Sequence, residues 1–300
     1  MTKHEYFLNK YYELRKKNFP KTKEFYETPS KYMIEPFRIA DNLYYVGDKK
    51  VCVHLIDSGD GLILLDSGYP YCTHMLIDSI WRAGFDPKNV RWIIHSHGHF
   101  DHFGASNEFR NMYGTKLAIS RADAQSLREK PQRAHLNLEH HPFAYTPTFD
   151  REIEDGEIFE LGNVKIRCVL TPGHNLGVLS FFFDVTDNGT TYLAGMFGGA
   201  GVNALTLPYM AFNEMENLPE MMLASVEKIR HEPVIIHLGN HPGNNRTIEK
   251  REKQLSEGGN PFIDPDSWKN FMDNQVLLIN AKIEQNKAME AEYNAFVGIK

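Results

Sequence analysis

Residues 95–102 read HSHGHFDH, four histidines and one aspartate in eight positions. The run follows Arg91-Trp-Ile-Ile94, an apolar strand-like stretch, so the cluster falls where a strand gives way to a loop. A packed core has little use for such a group. Crowded imidazoles resist sharing a proton, and burying them unpaired is costly. A divalent cation removes the difficulty, because imidazole nitrogen and carboxylate oxygen are both zinc ligands. Within the run, His97, His99, Asp101 and His102 form H-x-H-x-D-H. In a loop leaving a strand, the i, i+2 pair can converge on one ion while Asp101 and His102 reach a second.

A metal site needs ligands from distant parts of the chain, and two later segments offer them. TPGHNLG puts His174 just past the strand-like run ending at Leu170, with Pro172 and Gly173 shaping the turn. HLGNHPGNN puts His241 just past Val234–Leu238, again beside proline and glycine. His237 competes with it from inside the apolar run VIIHL, where a core position or one behind a ligand is expected.

The surrounding texture is one of short apolar runs separated by turns. Val51–Ile56 and Leu62–Leu65 flank Ser58-Gly-Asp-Gly61, a hairpin signal. Residues 72–83 carry Cys72, Leu76, Ile80 and Ala83 at helical spacing and close on Gly84 and Pro87. A helix over Ala105–Tyr113 and a strand over Lys116–Ile119 follow, and Ser120-Arg-Ala-Asp123 resembles a capping box opening another helix. Further strands are expected at Ile158–Leu161, Val164–Leu170, Leu179–Asp184, Thr191–Ala194 and Val234–Leu238, with a helix near 214–230. Asp264 and Pro265 suit the cap and first turn of a closing helix over about 265–293, with Trp268, Met272, Val276, Ile279 and Ile283 on one face. The elements form two similar halves, about 37–130 and 150–245. They predict one α/β domain over 37–300, two sheets packed face to face under outer helices, preceded by a helical and irregular extension over 1–36.

Composition narrows the classes. With 42% hydrophobic and 24% charged residues, the 300-residue chain reads as an ordinary globular protein. Net charge is −6, with no basic stripe, so nucleic acid is not an expected partner. Cys52, Cys72 and Cys168 are far apart and unpaired, as expected of reduced, buried thiols. No apolar leader opens the sequence and no run reaches the roughly 18 residues of a membrane span. A cytoplasmic protein without membrane contact is expected; oligomeric state is not legible.

HxHxDH followed by TPGH and a strand-terminal HPG resembles the metallo-β-lactamase superfamily, and the likeness runs from PFRIADNLYYVGD (36–48) through LILLDSGYP (62–70) to the closing helix. It is nearest to the cysteine-free subclass that binds two zincs with histidines and one aspartate. The resemblance implies a four-layer αββα sandwich. It also implies two zinc ions per chain, with His97, His99 and His174 on the first and Asp101, His102 and His241 on the second. Such a pair would share a hydroxide that attacks a carbonyl carbon of a small-molecule substrate, oriented by Asp101. The implied reaction is β-lactam-type hydrolysis of a cyclic amide. The alternatives are a lactonase or other ester or phosphoester hydrolase on the same site, and, from another class, a zinc-holding protein without turnover.

Two departures from the family pattern stand out. Most hydrolases of the superfamily place a bridging aspartate where this chain has Met196, a soft, uncharged thioether. The resembling subclass carries serines just after that position, where this chain has Phe197-Gly-Gly-Ala-Gly201. Met196 and Tyr69 are pocket candidates. Asp66, ending LILLD, is either a turn residue or an acceptor for a ligand imidazole. His54 is expected to pack inside its strand. The long stretch 130–150 is expected to form a lid or site wall, with His140 and His141 solvated and Phe143, Tyr145 and Phe149 in the core.

Overall fold

The computed structural model describes residues 1–136 and 144–298, and only the backbone of residues 19–25. Short β-branched and aromatic runs build two sheets, as their alternation requires. The first holds β1 (Phe37–Ala40), β2 (Leu43–Tyr45), β3 (His54–Asp57), β4 (Leu62–Leu65), β5 (Val90–Ile94), β6 (Lys116–Ser120) and β7 (Arg151–Ile153), side by side in chain order. The second holds β8 (Ile158–Leu161), β9 (Val164–Leu170), β10 (Leu179–Asp187), β11 (Thr190–Met196) and β12 (Ile236–Leu238), in the order 12-11-10-9-8. The expected hairpin is present: β3 and β4 pair antiparallel, His54 opposite Leu65. From β4 onward the first sheet is parallel.

The inner faces close on one another. Ile39, Leu43, Ile56, Ile63 and Ile94 of the first sheet meet Ile166, Phe181, Phe183, Met196 and Leu238 of the second. The outer faces are covered by helices. Leu55, Leu64 and Ile93 pack under α2 (Thr73–Arg82) and α4 (Ser106–Tyr113) through Leu76, Ile80 and Phe109. Phe182 and Val169 pack under α7 (Leu218–Ile229) and α10 (Ser267–Phe296) through Met222, Val226, Trp268 and Met272. Helix, sheet, sheet and helix are therefore stacked as an αββα sandwich. The N-terminal α1 (Lys3–Glu27) lies against α6 (Leu207–Asn213), and Tyr11 stacks on Phe212 at 4.4 Å.

Several local expectations change. β7 joins the first sheet, so the division between halves falls after Ile153. The helix expected over 105–113 is preceded by a one-turn α3 (Phe100–Phe103). α10 begins at Ser267, not at Pro265; Asp264 instead pairs with Lys250 at 3.1 Å. Ser120 caps α5 (Arg121–Glu129) by accepting from the Asp123 amide, but the Asp123 carboxylate leaves the cap for another task. Cys52, Cys72 and Cys168 are buried free thiols. No helix among the described residues is long and apolar enough to cross a membrane.

Candidate metal centre

Strand direction gathers the site. β4 and β5 run parallel, so Asp66 and the 95–99 loop leave the first sheet at one edge. β9 and β11 each pair antiparallel with β10, and β12 is parallel to β11, so three strands of the second sheet deliver their following loops to one edge as well. Carboxyl ends of strands, where loops converge, are where open α/β folds place their sites. α3, capped by His99, then turns Asp101 and His102 back into the cleft.

The six sequence-selected side chains meet in two groups. Ligand atoms of His97, His99 and His174 lie within 4.8 Å of one another, as do those of Asp101, His102 and His241. His99 Nδ1 stands 3.1 Å from both His97 Nε2 and His174 Nε2. Asp101 Oδ2 stands 3.5 Å from His102 Nε2 and 3.7 Å from His241 Nε2. The His97 and His102 rings are 4.1 Å apart between centroids, so the two groups are adjacent.

Hydrogen bonds on the far side of each ring set the tautomers. His174 Nδ1 donates to Gly201 O at 2.7 Å and His241 Nδ1 to Lys50 O at 2.8 Å. His102 Nδ1 donates to Asp66 Oδ2 at 2.8 Å. Ser96 Oγ gives its proton to Asp66 and so accepts from His97 Nδ1 at 3.0 Å. Each of these rings therefore turns an Nε2 lone pair into the centre. His102 Nε2 is buried without any hydrogen-bond partner. Converging lone pairs, an orphaned imidazole nitrogen and an ionised carboxylate fit a divalent cation, and nitrogen-rich sets of this kind suit zinc.

Electrostatics distinguish the groups. Burial, reinforced by neighbouring histidines, holds His97 and His99 well below the ordinary imidazole range and His174 down at about 4. Burial also lowers His102, but the Asp101 and Asp66 carboxylates outweigh it and raise that imidazole. Burial raises Asp101, and His102 and His241 outweigh it, so its carboxyl stays below the usual range.

Asp66 accepts from the Ser96 amide, the Ser96 hydroxyl and His102, in a left-handed conformation (φ 64°) that those three bonds secure. Tyr69 stacks on Tyr71 and packs edge-on against Phe100, helping to hold the α3 turn. One pocket candidate is corrected: alternation along β11 turns Met196 into the space between the sheets. His237 takes the core position of its two expected alternatives, facing Trp268 and Phe271 of α10 while its neighbours Ile236 and Leu238 face the inner core. His54 is buried in β3. Tyr145 is exposed rather than packed, and Phe149 lies edge-on to His95. His140, His141 and Phe143 lie outside the described residues.

The glycines at 198–201 have a packing cause. A Cβ at Gly201 would meet the His174 ring at 2.8 Å, and one at Gly199 would meet His174 Cβ at 2.8 Å. Other contributors carried no sequence signal. Asp123 accepts from the Gly98 amide at 2.7 Å and from Asn175 at 3.0 Å, bracing the 97–99 loop against the 174 loop. His135 and Tyr209 meet beside His99.

The pattern of the metallo-beta-lactamase superfamily matches residues 47–188. The fold overlays on BJP-1, a subclass B3 metallo-beta-lactamase of Bradyrhizobium japonicum, with TM-score 0.76 and 26% identity, covering 86% of this chain and 97% of that one. Residues 47–188 thus carry the metallo-beta-lactamase superfamily pattern, and the fold around them is that of its subclass B3 member. In sequence the chain is similar to a probable metallo-hydrolase of Burkholderia pseudomallei, 29% identical over 141 residues, 40% of this chain and 46% of the other. It is also similar to an N-acyl homoserine lactonase of Bacillus thuringiensis, 22% identical over 204 residues, 60% of this chain and 75% of the other. The match thus spans just under half the length of the first relative and three quarters of the second.

Proposed function

We propose that this chain is a zinc-dependent hydrolase of the metallo-beta-lactamase superfamily that opens a cyclic amide or ester. A β-lactam-type amide is the first reading and a lactone the second. The observation that carries it is the adjacency of two complete triads, His97, His99 and His174 beside Asp101, His102 and His241. Two zinc ions held there would supply Lewis acidity for a carbonyl oxygen and a water acidified from about 15.7 toward about 7.

The chain's own groups do the positioning. Ser96, Asp66, Gly201 O and Lys50 O hold four imidazoles with their lone pairs turned inward. Asp101, kept ionised by His102 and His241, presents a carboxylate oxygen that orients the attacking water by accepting its hydrogen bond. The His241 side chain is 38% exposed and Asp101 15%, while His97 and His99 of the first triad are buried, which supports an open side for a small-molecule substrate at the second triad.

The lactone reading rests on residues 198–201. Their three glycines offer no hydroxyl to grip a substrate carboxylate, and the similar Bacillus protein is a lactonase. Three buried thiols suit a reducing, cytoplasmic setting, and the 37–300 body would act as a single catalytic domain with residues 1–36 laid on it.

The deciding experiment is zinc content measured alongside hydrolysis of a chromogenic cephalosporin and an N-acyl homoserine lactone, for wild type and His174→Ala. Two zincs with cephalosporin turnover supports the first reading; turnover of the lactone alone supports the second. A zinc-loaded wild type inert toward both, or a His174→Ala variant with full zinc and full activity, would overturn the proposal.

A further inference from the structure

Five imidazoles and one carboxylate make up the two triads, and four of the imidazoles are backed by a hydroxyl, carboxylate or main-chain carbonyl oxygen. His99 is the exception. It alone turns Nδ1 inward, 3.1 Å from both His97 Nε2 and His174 Nε2, so its Nε2 faces the opposite way. What it faces is a side chain from another part of the chain: Tyr209 of α6, whose hydroxyl lies 3.4 Å from His99 Nε2 and 2.8 Å from His135 Nε2.

Proton bookkeeping gives this chain a direction. With the His99 Nδ1 lone pair committed to the centre, Nε2 carries the hydrogen and donates to the Tyr209 oxygen. The single Tyr209 proton is then left for His135 Nε2, which accepts it. The 3.4 Å separation is long for such a bond, and a ring shift of a few tenths of an ångström brings it into the ordinary range.

The surroundings hold Tyr209 and His135 as a unit. Their rings stack at 5.1 Å with an interplanar angle of 21°, and His135 sits in a left-handed conformation (φ 61°). The buried Arg133, two residues earlier, donates to Asn213 O at 2.8 Å and Glu214 O at 2.9 Å, tying the His135 segment to the end of α6. Asn213 donates in turn to Tyr209 O at 3.1 Å. From the other side, Tyr11 of α1 packs edge-on to Tyr209 at 6.1 Å. Packing explains why an aromatic ring stands at 209. It does not explain the hydroxyl, which a phenylalanine would lack, leaving the buried His135 and His99 nitrogens without a partner.

We infer that Tyr209, ordered by His135, is a positioning residue for the first triad: its hydroxyl fixes the His99 ring with Nδ1 aimed at the metal. This rests on the proposed metal-binding role of the triads. The partner behind a ligand histidine typically changes metal affinity by about 10- to 100-fold.

The test uses zinc as the probe, with its dissociation constants measured by competition with a chromophoric chelator. It is run on the full chain and on the His241→Ala background, where only the first triad is complete. Tyr209→Phe is expected to weaken zinc at the first triad by about 10- to 100-fold and to leave the second unchanged. His135→Phe, which keeps a stacked ring but removes the acceptor, is expected to give a smaller loss in the same direction. Tyr11→Phe trims a hydroxyl that has no partner from the same aromatic cluster and is expected to bind zinc as wild type does. Wild-type affinity in Tyr209→Phe would overturn the inference alone, and so would equal losses at both triads, which would mark a packing role. A wild-type chain that binds no zinc would overturn the metal-site reading and this inference together.

Discussion

The two triads lie side by side yet are built on different principles. The first is made of three imidazoles held neutral by burial, with neutral groups behind them: a serine hydroxyl, a tyrosine hydroxyl and a main-chain carbonyl. The second contains a carboxylate, and a further carboxylate, Asp66, stands behind His102. One is a deep pocket of lone pairs; the other is a partly open site carrying negative charge. The first therefore relies on geometry, because misplacing one ring leaves no net charge to hold the ion. The second relies on charge and tolerates exposure, as the half-exposed His241 illustrates. With zinc in both, as proposed, the unlike ligand sets would suit one centre to polarising a carbonyl and the other to steadying charge on a leaving atom.

The most direct way to break the contrast is to remove a neutral ligand. His97→Ala should empty the first triad and lower hydrolysis by about 10³-fold or more, read from metal content and turnover together. The next target is the charge behind the second. Asp66→Asn keeps a residue type that tolerates positive φ but faces an amide donor toward His102 or Ser96. Zinc affinity at the second triad should fall by about 10- to 100-fold, with a smaller loss at the first because Ser96 links Asp66 to His97, as measured by stepwise titration. Gly201→Ala acts on geometry alone, pressing a methyl against the His174 ring. It should weaken the first triad by about tenfold and spare the second, whereas Asp66→Asn falls mainly on the second.

The smallest effect sharpens the contrast from outside. His54 is buried with neither ring nitrogen hydrogen-bonded, and burial pulls it to about 4. Below the unfolded value near 6.5, the unfolded chain takes up a proton that the native chain refuses, so native stability falls as pH drops toward 4. His54→Leu lacks that term. It should be near neutral at pH 7.5 and gain on wild type by at most about 1.4 kcal/mol per pH unit on acidification from 6.5, followed by denaturant titration. A constant difference across that window would show that His54 titrates in the native chain as freely as in the unfolded one.

Much of the site is legible because its ligands fall in short, unusual strings at strand ends. HxHxDH, TPGH and HPG each combine imidazole with turn residues, and a residue doing metal chemistry leaves that local trace. The sandwich was readable for a similar reason: β4, β5, β9 and β10 are long or apolar enough to stand out. β1, β2 and β7 are three or four residues long, below what periodicity resolves, and pairing supplies most of their definition. Met196 is misplaced by sequence reasoning because which face of a strand a side chain takes depends on sheet register, which a string of letters does not carry. His135 and Tyr209 were invisible for a deeper reason. One sits in an aperiodic proline-rich stretch, the other in a short helix, and only the fold brings them within 2.8 Å. Asp123 looked like half of a capping box, and a residue with an adequate local explanation invites no second one.

The absence of side chains at 199 and 201 also limits how this protein can be altered over generations. Clefts commonly change their clientele by swapping residues along the rim, yet on this flank a side chain at 201 collides with the His174 imidazole and one at 199 with Val178 and His174 Cβ. Any change of clientele must therefore come from another part of the rim.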